Sequence, residues 1–453
     1  MGQFPLLETG GKPQALREAR AHGCFHPAID GHRCLFHAFD QGSATLTRRA
    51  ERTRKPQMNT NDMNYKLTTL LALMSGAACA NGAIALTENL SIEGFVDAAY
   101  SYTDSEFHLE TGKVSESDNS YDVDQIEIDF LFNFGAVSAR VDVQSEFLGD
   151  VEFEQAYFDY DFGNGGVISA GRYDSWLGFE AFEPTGQYQY SSAYNPELVA
   201  GYGIDEVFEL FAEMGMYELG RLSNIFGAPV SRQANGVRYA HTLGQGWLGL
   251  SVQDGYLVED GRLGGDSETD FNGEGSPSSY AFETAAGYTF SENLRAQVGG
   301  FLEKWDSTLF QMAAIDGTNW GANGHLVYEQ GGLTVAGEFF FSSIGFDISE
   351  IGGDETAEIT FETFGGMLMA NYEFNGRNSV TGRLSYVDSE IESDFGFGHE
   401  HLHFGKYYKA TAAYNHVVTE NLRLVTEVSY VDGELAESDY HAVLGAVRAL
   451  FSF

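Results

Sequence analysis

The sequence predicts an all-β fold, a transmembrane antiparallel β-barrel of about sixteen strands. Three observations carry that expectation. From Leu86 onward apolar and polar residues alternate with period two, in segments of about ten residues. Tight turns alternate along the chain with long acidic connections. No stretch reaches the ~18 consecutive apolar residues that a membrane-spanning helix needs, so strands must do the crossing.

Composition narrows the alternatives. The 453 residues carry 66 acidic and 25 basic side chains, a formal net charge of −41. A phosphate backbone requires Lys and Arg, so nucleic acid is not an expected partner. With 54 Gly, 35 Phe and 24 Tyr, and 43% hydrophobic residues, the chain is too rich in aromatics to be a disordered acidic tract.

The charge is unevenly placed. Residues 1–62 hold nine basic and six acidic residues, with four of the twelve His and two of the three Cys. Residues 86–453 hold 15 basic and 60 acidic residues, a net −45, and no Cys. Between them, Met63-Asn64-Tyr65-Lys66 reads as an n-region, and residues 67–80 (LTTLLALMSGAACA) as a 14-residue h-region. Ala78-Cys79-Ala80 offers a cleavage site and Ala83-Ile84-Ala85 a second. Residues 63–85 are therefore expected to be a Sec signal peptide, and residues 1–62 a non-native or disordered extension absent from the mature protein. The cluster His22, Cys24, His26, His32, Cys34 and His37 lacks the regular C-x2-C and H-x3-H pairings of zinc fingers, so no metal is assigned to it.

The barrel domain, residues 86–453, follows. In residues 124–134, Ile126, Ile128, Phe130, Phe132 and Phe134 take one face, and Gln125, Glu127, Asp129 and Asn133 the other. Val137, Ala139, Val141 and Val143 alternate with Ser138, Arg140, Asp142 and Gln144. Further on, Val335, Gly337, Phe339 and Phe341 alternate with Thr334 and Glu338. A soluble sandwich also alternates, but its strands run nearer five or six residues. Ten-residue strands with carboxylates on one face fit a barrel with lipid outside and water inside. Glu152 and Glu154 break the parity by falling on the outer face, which places them at the loop rim.

The tight turns fall at 134–136, 162–166, 243–246, 290–293, 330–332, 374–377 and 418–421, and the motif [ST]-E-N-L recurs at 87–90, 291–294 and 419–422. Long acidic connections occupy about 104–122, 257–279, 344–360, 388–405 and 432–439. Seven turns join fourteen strands, and the first and last make sixteen. Residues 174–235 either fold inward as one long loop or hide a further hairpin, making eighteen. The last segment alternates through Val447, Ala449, Phe451 and Phe453, and a terminal aromatic suits a final barrel strand. Aromatics near the turns (Tyr157, Phe158, Tyr160, Phe162; Tyr288, Phe290; Tyr372, Phe374) suit an interfacial girdle. No plug sequence precedes the first strand, which argues against a gated transporter.

Residues 154–184 (EQAYFDYDFGNGGVISAGRYDSWLGFEAFEP), followed by Tyr190-Ser191-Ser192-Ala193-Tyr194, resemble the OmpL-like β-barrel porins of bacterial outer membranes. In that family a QAY strand, a Gly turn, a G-[KR] strand and an acidic segment occur in this order. Residues 236–256 (GVRYAHTLGQGWLGLSVQDGY) are similar to the family's next hairpin. The resemblance covers about sixty residues; it implies a porin and names no substrate.

Parity places Arg140, Arg172, Arg238, Arg295, Arg383, Arg423 and Arg448 on the inner wall. The opposing acids expected on the infolded connection are Asp174, Glu180, Glu183 and Glu197. Basic wall residues set against acids on a loop give a constriction that sorts ions; the bland reading is wall salt bridges, such as Arg140 with Asp142 or Glu146. His399, His401 and His403 share a strand face, read as polar surface before metal site because a strand spaces them by nearly 7 Å. No Ser-His-Asp, H-E-x-x-H or G-x-S-x-G pattern occurs, so no enzyme is expected. The expected function is a water-filled outer-membrane channel for small hydrophilic solutes and ions, with modest cation preference. Its expected partners are lipid, those solutes and further copies of itself, a homo-trimer being usual for this size; no cofactor or metal is expected. The alternatives are an outer-membrane enzyme, and a structural or adhesive barrel whose acidic loops bind divalent cations.

Overall fold

The computed structural model describes residues 83–109, 112–146, 148–149, 151–181, 183–197, 233–255, 278–309, 313–350, 356–394, 399–435 and 438–453. The expectations for residues 1–62, for the signal up to residue 82, and for the connection at 257–277 lie outside them.

A two-residue β1 (Ile84–Ala85) precedes the ring strands β2 (Leu90–Leu109), β3 (Gly112–Asn133), β4 (Val137–Glu146), β5 (Glu152–Asp161) and β6 (Gly166–Asp174). Next come β7 (Gln233–Leu243), β8 (Gly246–Gln253), β9 (Ser278–Ser291), β10 (Leu294–Leu309), β11 (Ala313–Gln330) and β12 (Leu333–Glu350). The ring is completed by β13 (Thr356–Glu373), β14 (Asn378–Asp394), β15 (His399–Thr419), β16 (Leu422–Leu435) and β17 (Ser438–Ser452). Each strand pairs antiparallel with the next, and β17 pairs back onto β2 from Asp439 opposite His108 to Ser452 opposite Phe95. Of the 17 strands in the sheet, β1 lies outside the ring, leaving a closed barrel of sixteen. Closure removes every sheet edge, as lipid requires. Asp174 of β6 sits directly opposite Gln233 of β7, so no strand stands between β6 and β7 in the ring, which has sixteen strands and not eighteen.

The predicted turns join β3–β4, β5–β6, β7–β8, β9–β10, β11–β12, β13–β14 and β15–β16. Gly331 and Gly332 have φ of 59° and 84°, the positive values that a two-residue hairpin matched to strand twist demands of both central residues. At the opposite rim the connections are built largely of continuing strand: β2 and β3 run to within two residues of each other, carrying Glu106, Glu116 and Asp118 on the ladder.

The barrel is apolar outside and polar inside. Leu248, Leu250, Val298, Leu326, Phe339, Leu368 and Leu384 are exposed on the outer surface, while Asp97, Glu127, Asp129, Gln144, Glu338 and Glu427 are buried. Exposed aromatics sit toward the strand ends; on β9 they are Tyr280 and Phe282 near one end and Tyr288 and Phe290 near the other. Ten residues of strand span about 33 Å, or about 25 Å of membrane normal once tilted by about 40°. That is the height of an outer-membrane apolar band, and the barrel belongs in the outer membrane.

Two readings of parity need correction. Glu154 is buried, not on the outer face. The β4–β5 register slips between Val141 opposite Ala156 and Val143 opposite Phe153, so Glu154 and Gln155 together oppose Asp142 and both turn inward. Tyr157 likewise faces the lumen, 5.5 Å from the Arg238 guanidinium, rather than joining the girdle. The inner wall is also less uniformly polar than alternation implies: Phe340, Met367, Met369, Tyr407, Val431 and Tyr440 form an apolar cluster inside the ring.

Candidate functional site

After β6 the chain turns into the lumen, and residues 175–197 cross it as a strap with one short 3-10 turn, Pro184–Gly186. An irregular segment has no ladder to satisfy its N–H and C=O groups, so other partners must do so. The wall supplies them by sign. Buried glutamates take the strap's N–H groups: Glu283 accepts from Trp176 at 2.7 Å, Glu338 from Phe179 at 2.7 Å, and Glu427 from Tyr190 at 2.6 Å and Ser191 at 3.2 Å. Wall cations take the carbonyls: Arg238 donates to Asp174 at 2.8 Å, Arg423 to Pro184 at 2.8 Å, Arg383 to Ser191 at 2.9 Å, and Lys409 to Ser192 at 2.7 Å.

The predicted residues divide into three groups. Five of the seven arginines meet the strap or its root directly. Arg140 pairs with Asp142 at 2.6 Å, Glu183 at 2.9 Å, Asp129 at 3.4 Å and Glu127 at 3.7 Å. Arg238 also lies 4.4 Å from the Tyr173 ring centroid and 5.3 Å from that of Trp176. Arg383 is fully buried and pairs with Glu180. Arg423 joins them through Pro184. Arg448 reaches Asp97 and Gln187, each at 3.0 Å, and stacks 4.7 Å over Tyr190. Arg172 stays on the wall, donating to the Glu154 carbonyl at 2.9 Å. Arg295 sits at the turn rim, paired with Glu329. Among the acids, Glu180 and Glu183 lie on the strap, and Asp174 at its root accepts from Gln233 at 3.1 Å. These five arginines are in direct contact with the strap or its root rather than facing it across a gap.

Among solved structures, the chain is similar to the outer membrane channel DcaP of Acinetobacter baumannii at 14% identity and a TM-score of 0.49, covering 82% of this chain and 100% of that one. It is similar to Salmonella typhi OmpF in complex with daunomycin at 12% and 0.47, covering 82% and 100%. With the anion-selective porin from Comamonas acidovorans the figures are 15% and 0.44, covering 80% and 99%. No protein-family model and no curated protein matches the chain, so the resemblance to the OmpL-like porins rests on its motifs alone.

Sequence reasoning missed Lys409 and Glu283; parity puts Glu338 and Glu427 on the inner face but does not pair them with the strap's amides. Lys409 is fully buried and also pairs with Glu197. It shares the parity of Thr411 and Asn415, so the rule applied to arginine would have found it. Tyr194 had no such signal: its hydroxyl donates to Glu338 at 2.8 Å, its ring lies 4.8 Å from Phe340, and its carbonyl accepts from Tyr407 at 2.6 Å.

Two histidine–carboxylate groups occupy the opposite rim. Glu390 lies between His401 at 3.2 Å and His403 at 3.3 Å, whose rings approach to 5.1 Å. Glu106 lies between His108 at 2.6 Å and His441 at 3.6 Å, beyond the girdle marked by Tyr100 and Tyr102. Hydrogen bonds from Lys113 and His108 hold the Glu106 carboxyl down to about 2.

Proposed function

We propose that this chain is an outer-membrane porin, a water-filled channel for passive diffusion of small hydrophilic solutes and ions, in which the strap forms the constriction. The observation that carries the reading is the strap itself, an irregular polar segment fastened across a closed barrel by oppositely signed wall groups. At the turn rim a cavity of about 620 Å³ opens, lined by Tyr188 of the strap and by Glu292, Glu329 and Glu373 of the mouth. Modest cation preference follows from the charge balance. Among the described residues twelve carboxylates are buried against four basic side chains (Arg238, Arg383, Lys409 and Arg448), and adding Arg140, Arg172 and Arg423 still leaves the acids in excess. Fixed negative charge in a narrow lumen concentrates cations.

The proposal needs no cofactor and no chemical step, and it takes the mature protein to be residues 86–453, exported by the signal at 63–85 and assembled as a homo-trimer. Liposome swelling with uncharged sugars of increasing size tests it. Swelling is expected with small sugars and should fall off with larger ones; liposomes that never swell would remove the channel reading.

A further inference from the structure

Between the strap and the wall of β3, β4 and β5 lies a group of carboxylates that strap anchoring does not account for. Glu127, Asp129, Asp142 and Glu154 on the wall and Glu183 on the strap are all buried. Among the described residues Arg140 is the cation paired to four of them, Glu127, Asp129, Asp142 and Glu183, which leaves five carboxylates against one guanidinium, a formal −4. Ionised carboxylates removed from water without counter-charge cost several kcal/mol each, on the order of magnitude known for buried ions, so a group like this takes up a counter-ion or protons.

The hydrogen bonding shows how the group is prepared. In each wall carboxylate one oxygen is held and the other is not. Glu127 Oε2 accepts from Gln125 at 3.2 Å, Glu154 Oε1 from Gln233 at 3.1 Å, and Asp142 Oδ2 from Arg140 at 2.6 Å, while Asp129 Oδ2 faces Arg140 at 3.4 Å. The remaining oxygens, Glu127 Oε1 (3.7 Å from Arg140), Glu154 Oε2, Asp142 Oδ1 and Asp129 Oδ1, are buried and accept no hydrogen bond. Gln125 is itself fixed on Gln144 at 2.6 Å, and Thr185 steadies Glu183 at 3.2 Å. Outer partners that orient a carboxylate while leaving one oxygen free are the usual support of a metal site.

Donor number and type select the ion. One oxygen each from Glu127, Asp142 and Glu183 lie close enough together to share one ion. Ca2+ takes about six to eight oxygens, whereas Mg2+ is usually held by one or two carboxylates and keeps several waters, so a five-carboxylate set favours Ca2+. An all-oxygen set disfavours the softer transition metals. We propose that Glu127, Asp129, Asp142, Glu154 and Glu183 bind one Ca2+ ion, which ties the strap to the wall at Glu183. The site does not require that the barrel conduct, so it stands or falls apart from the porin reading.

Calorimetric titration of the EDTA-treated, detergent-purified barrel with CaCl2 tests it. One saturable site is expected in the wild type. Its affinity should fall by about tenfold or more in E127Q/D142N, which keeps side-chain shape but removes two charged ligands. It should be unchanged in E106Q, at the external acidic rim. Should E127Q/D142N not assemble, E183Q is read in its place, because Glu183 lies outside the strand ladder, and the same loss is expected. No saturable Ca2+ binding in the wild type, or equal affinity in the luminal variants, would overturn the proposal and leave protons as the counter-charge.

Discussion

Arg383 gives the sharpest test of how the strap is held. Its fully buried guanidinium pairs with Glu180, donates to the Ser191 carbonyl at 2.9 Å and to Thr411 at 3.3 Å, and so fastens the strap at two places eleven residues apart. In Arg383→Ala, Glu180 keeps the Ala193 amide at 2.8 Å but loses its counter-charge, and the Ser191 carbonyl loses its donor. Removing one partner of a buried ion pair costs about 3–5 kcal/mol. The β14 ladder with β13 and β15 is untouched, so this cost falls on the strap and not on the ring. At about 1.4 kcal/mol per tenfold, strap release should rise by roughly 10²–10⁴-fold. The strap carries no Lys or Arg but offers Phe179, Tyr188, Tyr190 and Tyr194, so chymotrypsin is the appropriate probe. Where release is fast relative to cutting, cleavage follows the open population and should accelerate by about the same factor. Arg383→Lys, which keeps the charge without the two-armed reach, should fall between. Cleavage within about twofold of wild type in R383A would refute the claim that wall cations anchor the strap.

Three further outcomes are expected. Leu368, the sixth residue in from the β13–β14 turn and 67% exposed, faces the middle of the apolar band; Leu368→Arg should cost about 2–4 kcal/mol in urea-monitored folding into liposomes, and a cost near zero would mean that this face does not meet lipid. Neutralising the mouth acids as E292Q/E329Q/E373Q should lower cation preference, the more so because Arg295 loses its Glu329 partner; unchanged selectivity would remove the mouth from the account. Intact-mass analysis of outer-membrane extracts should give a mature terminus within residues 81–86, and a species retaining residues 1–62 would refute the signal assignment.

The barrel was legible because its constraints are periodic. Alternation at period two fixes which face each residue takes, and glycine-bearing turns such as Gly331-Gly332 fix where strands reverse, so sixteen strands were expected and eighteen stayed open only at residues 174–235, where no tight turn marks the chain. Alternation fails where the backbone departs from the pleat. The β4–β5 bulge turns both Glu154 and Gln155 inward, and nothing in the local composition marks it. The strap was legible only in part. Its length between β6 and β7 was evident and parity placed the arginines, but pairing a wall glutamate with a strap amide depends on how an irregular segment crosses the lumen. Glu283, Glu338 and Glu427 lie more than 100 residues from the amides they hold. The inward apolar cluster was missed for a related reason: Phe339, Phe340 and Phe341 are consecutive aromatics on both faces, so pattern alone does not show that Phe340 packs on Tyr194.

The central claim is that this barrel conducts, and that its net-negative lumen and mouth govern which ions pass. Planar-bilayer recording of the purified protein across a KCl gradient tests both halves at once. Stepwise conductance is expected, with a reversal potential of the sign set by K+ permeating faster than Cl−. That preference should weaken as salt rises, because fixed charge at the mouth is screened beyond a Debye length of ~8 Å at physiological ionic strength. A reversal potential of opposite sign would mean that the arginine wall dominates the field, and the absence of any conductance would contradict the channel itself.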